Sequence, residues 1–291
     1  MRLAWLSLLA LAAFSLRGQS LTGAIDMHAH SDPDGSPRSI DAIDLARLAK
    51  SHGMRAIVLK NHYEPTASLA YLVRKEVPGI EVFGGISLDL TVGGVNPAAV
   101  EWMTKVKGGY GKVVWLPTFD SEHEVTRTGQ KRPFARVVEN GRVVPEVLQV
   151  IAIAAKNNLV LETGHSSPAE ALLIIQEARR QGVRNILVTH AISQQVGMSV
   201  SQMQQAAKLG AYLEFVWVRP EGDAAKVYAK AIREVGPEFC VLSSDLGQVN
   251  NPLHPDGLLQ LYRFLKSQGF TESEIDRMAK TNPARLLGLE P

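Results

Sequence analysis

The chain has 291 residues, 45% of them apolar, which is enough for one domain with a substantial core. Lys and Arg number 31 against 29 Asp and Glu, with no dense basic stripe, which argues against a nucleic-acid surface. Cys240 is the single cysteine, so an internal disulfide is excluded and stability must come from the core, helped by metal if one is held.

Residues 1–20, MRLAWLSLLALAAFSLRGQS, pair Arg2 with an apolar run from Leu3 to Leu16 and a small, polar end. This pattern predicts a secretory signal peptide. The apolar run of about 14 residues is short of the ~20 that a spanning helix needs, which disfavours a membrane anchor. The expectation is export to the periplasm or the medium, with no stable anchor after cleavage and a mature domain over 21–291. Losing Arg2 and Arg17 would leave 29 basic residues against 29 acidic ones, a formal charge of zero.

The mature sequence then alternates short β-rich runs with helical patterns. The first run is GAIDMH from Gly23. A helix follows, SIDAIDLARLAKSHG, with Ser39 expected as its cap and Gly53 as its stop. The next runs are RAIVLK (Arg55), IEVFGGIS (Ile80) and KVVWLPT (Lys112). After the fourth comes RVVENGRVVPE from Arg136, two β-type runs joined by Asn-Gly. This is a strong hairpin signal, and the hairpin is expected to lie over one end of the fold. LVLETGH (Leu159) precedes SPAEALLIIQEARRQG, a helix with Ser167 as cap, Pro168 at its first position and Glu170 at capping-box distance. RNILVTH (Arg184), AYLEFVW (Ala211) and FCVLSSD (Phe239) complete eight runs. Eight strongly apolar strands alternating with helices predict a (β/α)8 TIM barrel with a β-hairpin insertion after strand 4. An open doubly wound sheet would more often show a Gly-rich phosphate loop after its first strand, and none is present.

Active sites of such barrels lie at the C-terminal ends of the strands. Seven of the eight histidines fall there: His28 and His30 end the first run, His62 follows the second and His123 the fourth. His165 ends the fifth, His190 the sixth, and His254 follows the eighth. His52 alone falls elsewhere. Residues two apart on a strand share a face, so His28 and His30 can both aim into the barrel mouth. Two imidazoles on one rigid strand suit a borderline divalent ion such as zinc. His165, His190 and Asp245, at the end of the eighth run, would complete the centre.

These residues resemble the amidohydrolase superfamily of metal-dependent hydrolases, through Asp26-Met-His28-Ala-His30, TGH ending at His165, VTH ending at His190, SSD ending at Asp245 and the tail TNPARLLGL. The phrases VLKNH, EVFGGISL, VVWLPT and DLGQVNNPLHPDGL are similar to an uncharacterised, domain-of-unknown-function branch of it. The resemblance implies that His28, His30 and Asp245 bind one ion, that His165 and His190 bind a second or help to hold the first, and that Asp245 is general base and acid. It also implies that Asp26 orients an imidazole N–H. The chain departs from the pattern at the fourth strand, where a bridging carboxylated lysine or a glutamate is usual but Leu116-Pro117-Thr118 stands. Lys60 is one substitute: carboxylated it would bridge two ions, unmodified it would contact substrate or organise the site. Glu162 is the other, although strict alternation turns it away from His165 unless Gly164 introduces a bulge. The number of ions, one or two, stays open.

The implied reaction is attack of activated water on the carbonyl of an amide, lactone or ester of a small-molecule substrate. Lys60, His62 or His123 would stabilise the developing negative charge. Candidate substrate contacts are His62, Tyr63, Arg127, Gln194, Gln195, Trp217, Arg219, Gln248 and Asn250. Competing readings are decarboxylation on the same scaffold, a phosphoesterase and a metal- or ligand-binding barrel without catalysis; a homo-oligomer also stays open.

Overall fold

The computed structural model describes residues 20–290. In chain order the elements are β1 (Ile25–Ala29), α1 (Ala42–Ser51), β2 (Ala56–Leu59), α2 (Ala67–Glu76), β3 (Glu81–Ser87), α3 (Pro97–Thr104), β4 (Gly111–Trp115) and α4 (Glu122–Arg127). Then follow β5 (Val138–Glu139), β6 (Arg142–Val143), α5 (Pro145–Asn157), β7 (Val160–Glu162), α6 (Pro168–Arg180), β8 (Asn185–Val188), α7 (Val200–Lys208) and β9 (Tyr212–Phe215). The chain ends with α8 (Asp223–Val235), β10 (Cys240–Leu242), α9 (His254–Ser267), α10 (Glu272–Asp276) and α11 (Asn282–Leu287). Eight strands form one sheet in the order β1-β2-β3-β4-β7-β8-β9-β10, every ladder parallel. This is the eight-stranded barrel that the run pattern predicts. The signal-peptide reading falls on residues 1–19, outside the described part. No helix among the described residues is long and apolar enough to cross a membrane.

The barrel separates two apolar layers. Ile57, Leu59, Val114, Leu161 and Val188 face outward and join the helices in the larger cluster. Ile25, Met27, Val58, Phe83, Val113, Trp115, Val160, Leu187 and Val241 fill the interior. Ala284, Leu286 and Leu287 of α11 join this inner cluster, so the last helix closes the N-terminal end of the barrel. Burying side chains of this size contributes roughly 1.5–3 kcal/mol each.

The barrel closes between β1 and β10 by a short seam rather than a full ladder. The N–H of Asp245 donates to His28 O (2.8 Å), and the N–H of His30 donates to Leu246 O (2.9 Å). Asp26 ties the same seam, its Oδ1 accepting from the N–H of Ser244 (2.9 Å) and of His28 (3.1 Å). It therefore holds backbone, and orients no imidazole.

Two local expectations change. The hairpin forms, with Asn140 and Gly141 both at positive φ as its tight turn requires, but β6 packs against helix α6. The first helix is capped by Asp41, whose carboxylate accepts from the N–H groups of Ile43 and Asp44. Ser39 instead gives its N–H to Gly247 O (2.8 Å), strapping the segment to the loop after β10. Ser167 does cap α6, with the reciprocal Glu170 contact in place.

Candidate metal centre at the barrel mouth

The register of β1 against β2 slips between Asp26 and Ala29. The slip lets Met27 pack in the inner cluster while His28, the next residue, also turns inward. His28 Nε2 lies 3.1 Å and His30 Nε2 3.2 Å from Asp245 Oδ1. Ligand atoms of these three side chains all lie within 4.8 Å of one another, the spacing of groups that could share one ion. Asp245 reaches inward from a left-handed backbone (φ 50°), and His190 is similarly unusual (φ 23°). Strained backbone of this kind is held where the surroundings enforce it, commonly at functional sites.

Glu214 sets the orientation of His28. Its Oε2 lies 3.2 Å from His28 Nδ1 and accepts the His190 N–H at 3.0 Å. An Nδ1–H donated to this carboxylate leaves the Nε2 lone pair facing Asp245, the tautomer that a metal ligand needs. Glu214 was hidden inside the apolar run AYLEFVW. The signal was available, because a lone carboxylate on a buried strand is costly unless it serves a partner.

Lys60 Nζ sits 2.9 Å from His28 Nε2 and over the Trp115 ring. Burial pulls its ammonium pKa down, against the charges of Asp245, Glu162 and Glu214. Glu162 also lies inside the barrel. Gly164 (φ 59°) makes this possible; a Cβ there would meet Leu116 O at 2.2 Å, so only glycine lets the chain turn both Glu162 and His165 inward. Burial pushes the Glu162 carboxyl well above its ordinary range, with Glu214 adding to the effect and Lys60 opposing it.

His165 and His190 face each other across 4.9 Å and line the same cavity, but they stand outside the His28–His30–Asp245 group. His62 stacks on His30 at 5.0 Å and is anchored from behind. Thr118 donates its hydroxyl to Asp89, and His62 Nδ1 lies 2.7 Å from Thr118 Oγ1. Burial is the largest cause holding His28, His30, His62, His165 and His190 below the ordinary imidazole pKa, so all five are neutral near pH 7.

The cavity over these groups measures about 240 Å³. Besides the site residues it is lined by Ser36, Arg38, Tyr63, Phe119, Gln195 and Gln248. Gln248 Nε2 also donates to Asp245 O at 2.9 Å. Six expected contacts fall elsewhere, the exposed Asn250 among them. His123 and Arg127 belong to α4, where Arg127 pairs with Glu124 (2.8 Å) and His123 does not line the cavity. Gln194 is exposed, and its neighbour Gln195 takes the inward place. Trp217 packs on α9 and donates Nε1–H to Gln260 (3.1 Å), and Arg219 is exposed. Arg38 and Ser36 escaped the sequence reading because a polar loop gives no periodicity from which to orient side chains. A larger hollow, about 420 Å³, lies at the opposite barrel end among Arg179, Arg184, Arg277 and Arg285, and no histidine lines it.

Comparison with solved structures finds the same fold in enzymes of diverse chemistry. An amidohydrolase from Pseudomonas aeruginosa matches with a TM-score of 0.61 at 10% identity, covering 91% of this chain and 95% of that one. A 2,6-dihydroxybenzoate decarboxylase from Rhizobium gives 0.58 at 13% identity, covering 92% and 99%. A beta-aspartyl dipeptidase from Fervidobacterium islandicum gives 0.60 at 15% identity, covering 92% and 75%. No curated protein matches the sequence. The sequence does match the family model DUF6282, a family of unknown function, over residues 23–214, a stretch that includes His28, His30, Lys60, Glu162, His165, His190 and Glu214. That match covers more than half of the chain, which therefore belongs to the DUF6282 family.

Proposed function

We propose that this protein is a metal-dependent hydrolase that directs water at the carbonyl of a small amide, lactone or ester. The observation carrying this reading is the convergence of His28 Nε2 and His30 Nε2 on Asp245 Oδ1 at 3.1 and 3.2 Å, at the C-terminal mouth of a parallel barrel. Two neutral imidazoles and one carboxylate suit zinc or a similar ion, and Glu214 beside His28 Nδ1 supplies the supporting acceptor such a ligand needs. Such an ion supplies acidity to a water and polarisation to a carbonyl. Asp245 is the one cavity-lining carboxylate and can take the proton of the attacking water and return it to the leaving group. Lys60 lines the same cavity and can donate to the oxygen on which charge develops, whereas neutral His62 gives its one N–H to Thr118 and presents only a lone pair there.

We read the centre as holding one ion. A carbamate on Lys60 would put a further negative charge beside Glu162 and Glu214, whereas an ammonium there is attracted by both. His165 and His190 then face substrate or complete the coordination of the single ion. The decarboxylase among the fold relatives does not change this preference, because Asp245 supplies the proton path that hydrolysis needs.

Elemental analysis of the purified protein beside Asp245→Asn tests the reading. About one equivalent of zinc or a similar ion is expected in the wild type. The variant should lose about 10²–10⁴-fold in turnover of aryl esters or lactones, the usual scale of a general acid–base group. No bound metal after reconstitution overturns the centre. Two equivalents overturn the single-ion reading and return Lys60 to the role of bridging ligand. The reading includes export, on the strength of residues 1–20. N-terminal sequencing of the protein from its native cells should find the chain cleaved near Ser20, and a chain beginning at Met1 would remove export from it.

A further inference from the structure

The loop between β1 and α1 carries Arg38 to the cavity and fixes it there. Its side chain is 8% exposed and its partner Asp34 is fully buried. Nε and Nη2 both point at Asp34 Oδ2, at 2.6 and 2.5 Å. Nη1 finds no acceptor among the described residues. The backbone is held from several sides: Arg38 bridges Gln248, Asp32 N–H donates to Ile40 O (2.9 Å), and Asn61 donates to Pro33 O (2.7 Å). Gln248 in turn donates to the carbonyl of Asp245. The guanidinium is thus locked to the same strap as the candidate metal ligand.

The charges of the cavity are unbalanced. Among the described residues that line it, Arg38 and Lys60 are the basic side chains and Asp245 the single acidic one. A divalent ion, if held by His28, His30 and Asp245, would add two positive charges. Asp34 balances the Arg38 charge from the loop side and occupies the Nε–Nη2 edge of its fork, leaving the other edge, one Nη1–H beside the second Nη2–H, as an unused pair of donors. A rigid guanidinium with a free edge matches a carboxylate better than any neutral group does, because two parallel N–H donors meet two oxygens. Tyr63 and Phe119, both partly exposed on the rim, limit the remaining space to a small body.

Resting on the hydrolase reading above, we infer that the substrate carries a carboxylate, which Arg38 grips while the reacting carbonyl faces the metal centre. The substrate class is therefore a small anionic ester, lactone or amide, and Arg38 is its specificity-determining residue.

The test is calorimetric titration of succinate, with neutral succinamide as control, into metal-free and zinc-loaded protein. Wild type should bind succinate saturably in both forms and succinamide at least tenfold more weakly. Arg38→Met should weaken succinate at least tenfold in both forms. Arg38→Lys keeps the charge and an ion pair with Asp34 but loses the planar fork, and should weaken succinate about threefold or more; it serves as the folding-safe variant, with circular dichroism checking both. Equal succinate affinity in wild type and both variants overturns the inference, and so does the absence of saturable binding by wild type. Binding that requires zinc and ignores Arg38 places the carboxylate on the ion and overturns it as well. Failure to take up zinc, with Arg38-dependent binding intact, would sink the metal-centred hydrolase and spare the carboxylate site.

Discussion

The interior of this barrel has two halves built on opposite terms. In the lower half Phe83, Val113, Val160, Leu187 and Val241 meet Leu286 and Leu287 of the closing helix in one apolar cluster. In the upper half Lys60, Glu162, Glu214 and five histidines are packed with almost no water contact. Several of their polar atoms, including Glu162 Oε1, Glu214 Oε1 and His165 Nδ1, have no partner among the described residues. Buried polar atoms without partners cost roughly 1–3 kcal/mol each. The lower half therefore stabilises the fold, and the upper half draws on that stability to hold groups ready for a ligand. Such a division is expected where a site is grafted onto a fold rather than made by it.

A mutation confined to the lower half gives the largest stability effect and should leave the centre alone. Leu187 is fully buried in the inner cluster. Leu187→Ala should cost about 2–5 kcal/mol of unfolding free energy, by lost transfer energy and the cavity left behind. Denaturant unfolding measures the loss, and metal affinity measured in native buffer should stay within twofold of wild type. A large drop in metal affinity would mean that the two halves are coupled.

Acid separates the halves in the other direction. His254 is buried at the start of α9, behind the seam, and burial takes its imidazole down to about 4 from an ordinary value near 6.5, against the pull of the Leu246 and His30 carbonyls. The folded state therefore binds fewer protons than the unfolded chain between these values. Its contribution is full above pH 6.5 and is lost as pH falls toward 4, on the order of 3 kcal/mol in all. His28, His30, His165 and His190 are depressed in the same direction, so they steepen the same loss. In metal-free protein His254→Gln should flatten part of this slope. An unchanged slope between pH 6.5 and 4 would remove His254 from the account.

Glu214 sharpens the contrast at smaller scale. Glu214→Gln keeps the shape but weakens the acceptor for His28 Nδ1–H and the His190 N–H, and metal affinity should fall about 10–100-fold. Stability of the metal-free protein should be unchanged or slightly raised, since a buried carboxylate is removed. A stability loss as large as that of Leu187→Ala would make Glu214 a packing residue.

The difference between the halves also explains what was legible in the sequence. Alternating apolar runs, the Asn140-Gly141 turn and the Ser167–Glu170 cap act through local chemistry, so the barrel and its elements could be read directly. His28, His30, His165, His190 and Asp245 sit at strand ends, where the rule for the active face of a barrel applies. Glu162 depended on a glycine conformation, which the sequence offered only as an alternative. Glu214 depended on noticing one acid in an apolar strand. Arg38 depended on how an irregular loop returns over the mouth, and no periodicity encodes that. The hairpin was recognisable from its turn, but its resting place on α6 is a tertiary choice.

The smallest expected effect belongs to a residue that sequence position alone made attractive. His123 follows the fourth barrel strand, as a site residue would, yet the segment after Ser121 is the helix α4 and not an open loop. Ser121 accepts the Glu124 N–H, which starts the helix, and Glu124 and Arg127 then share one face three residues apart. Glu124 comes within 3.8 Å of His165 Nδ1, so this face looks toward the centre. His123, one residue earlier, is carried about 100° around the helix and lines no part of the cavity. His123→Ala should therefore leave turnover and metal affinity within about twofold of wild type, and cost at most ~0.5 kcal/mol of stability as a partly exposed helix substitution. Glu124→Gln, on the other face, should move the pH dependence of the His165 environment measurably while His123→Ala does not. If the two variants exchanged these phenotypes, α4 would have to be rotated in solution, and the assignment of the mouth on that side of the barrel would fall with it.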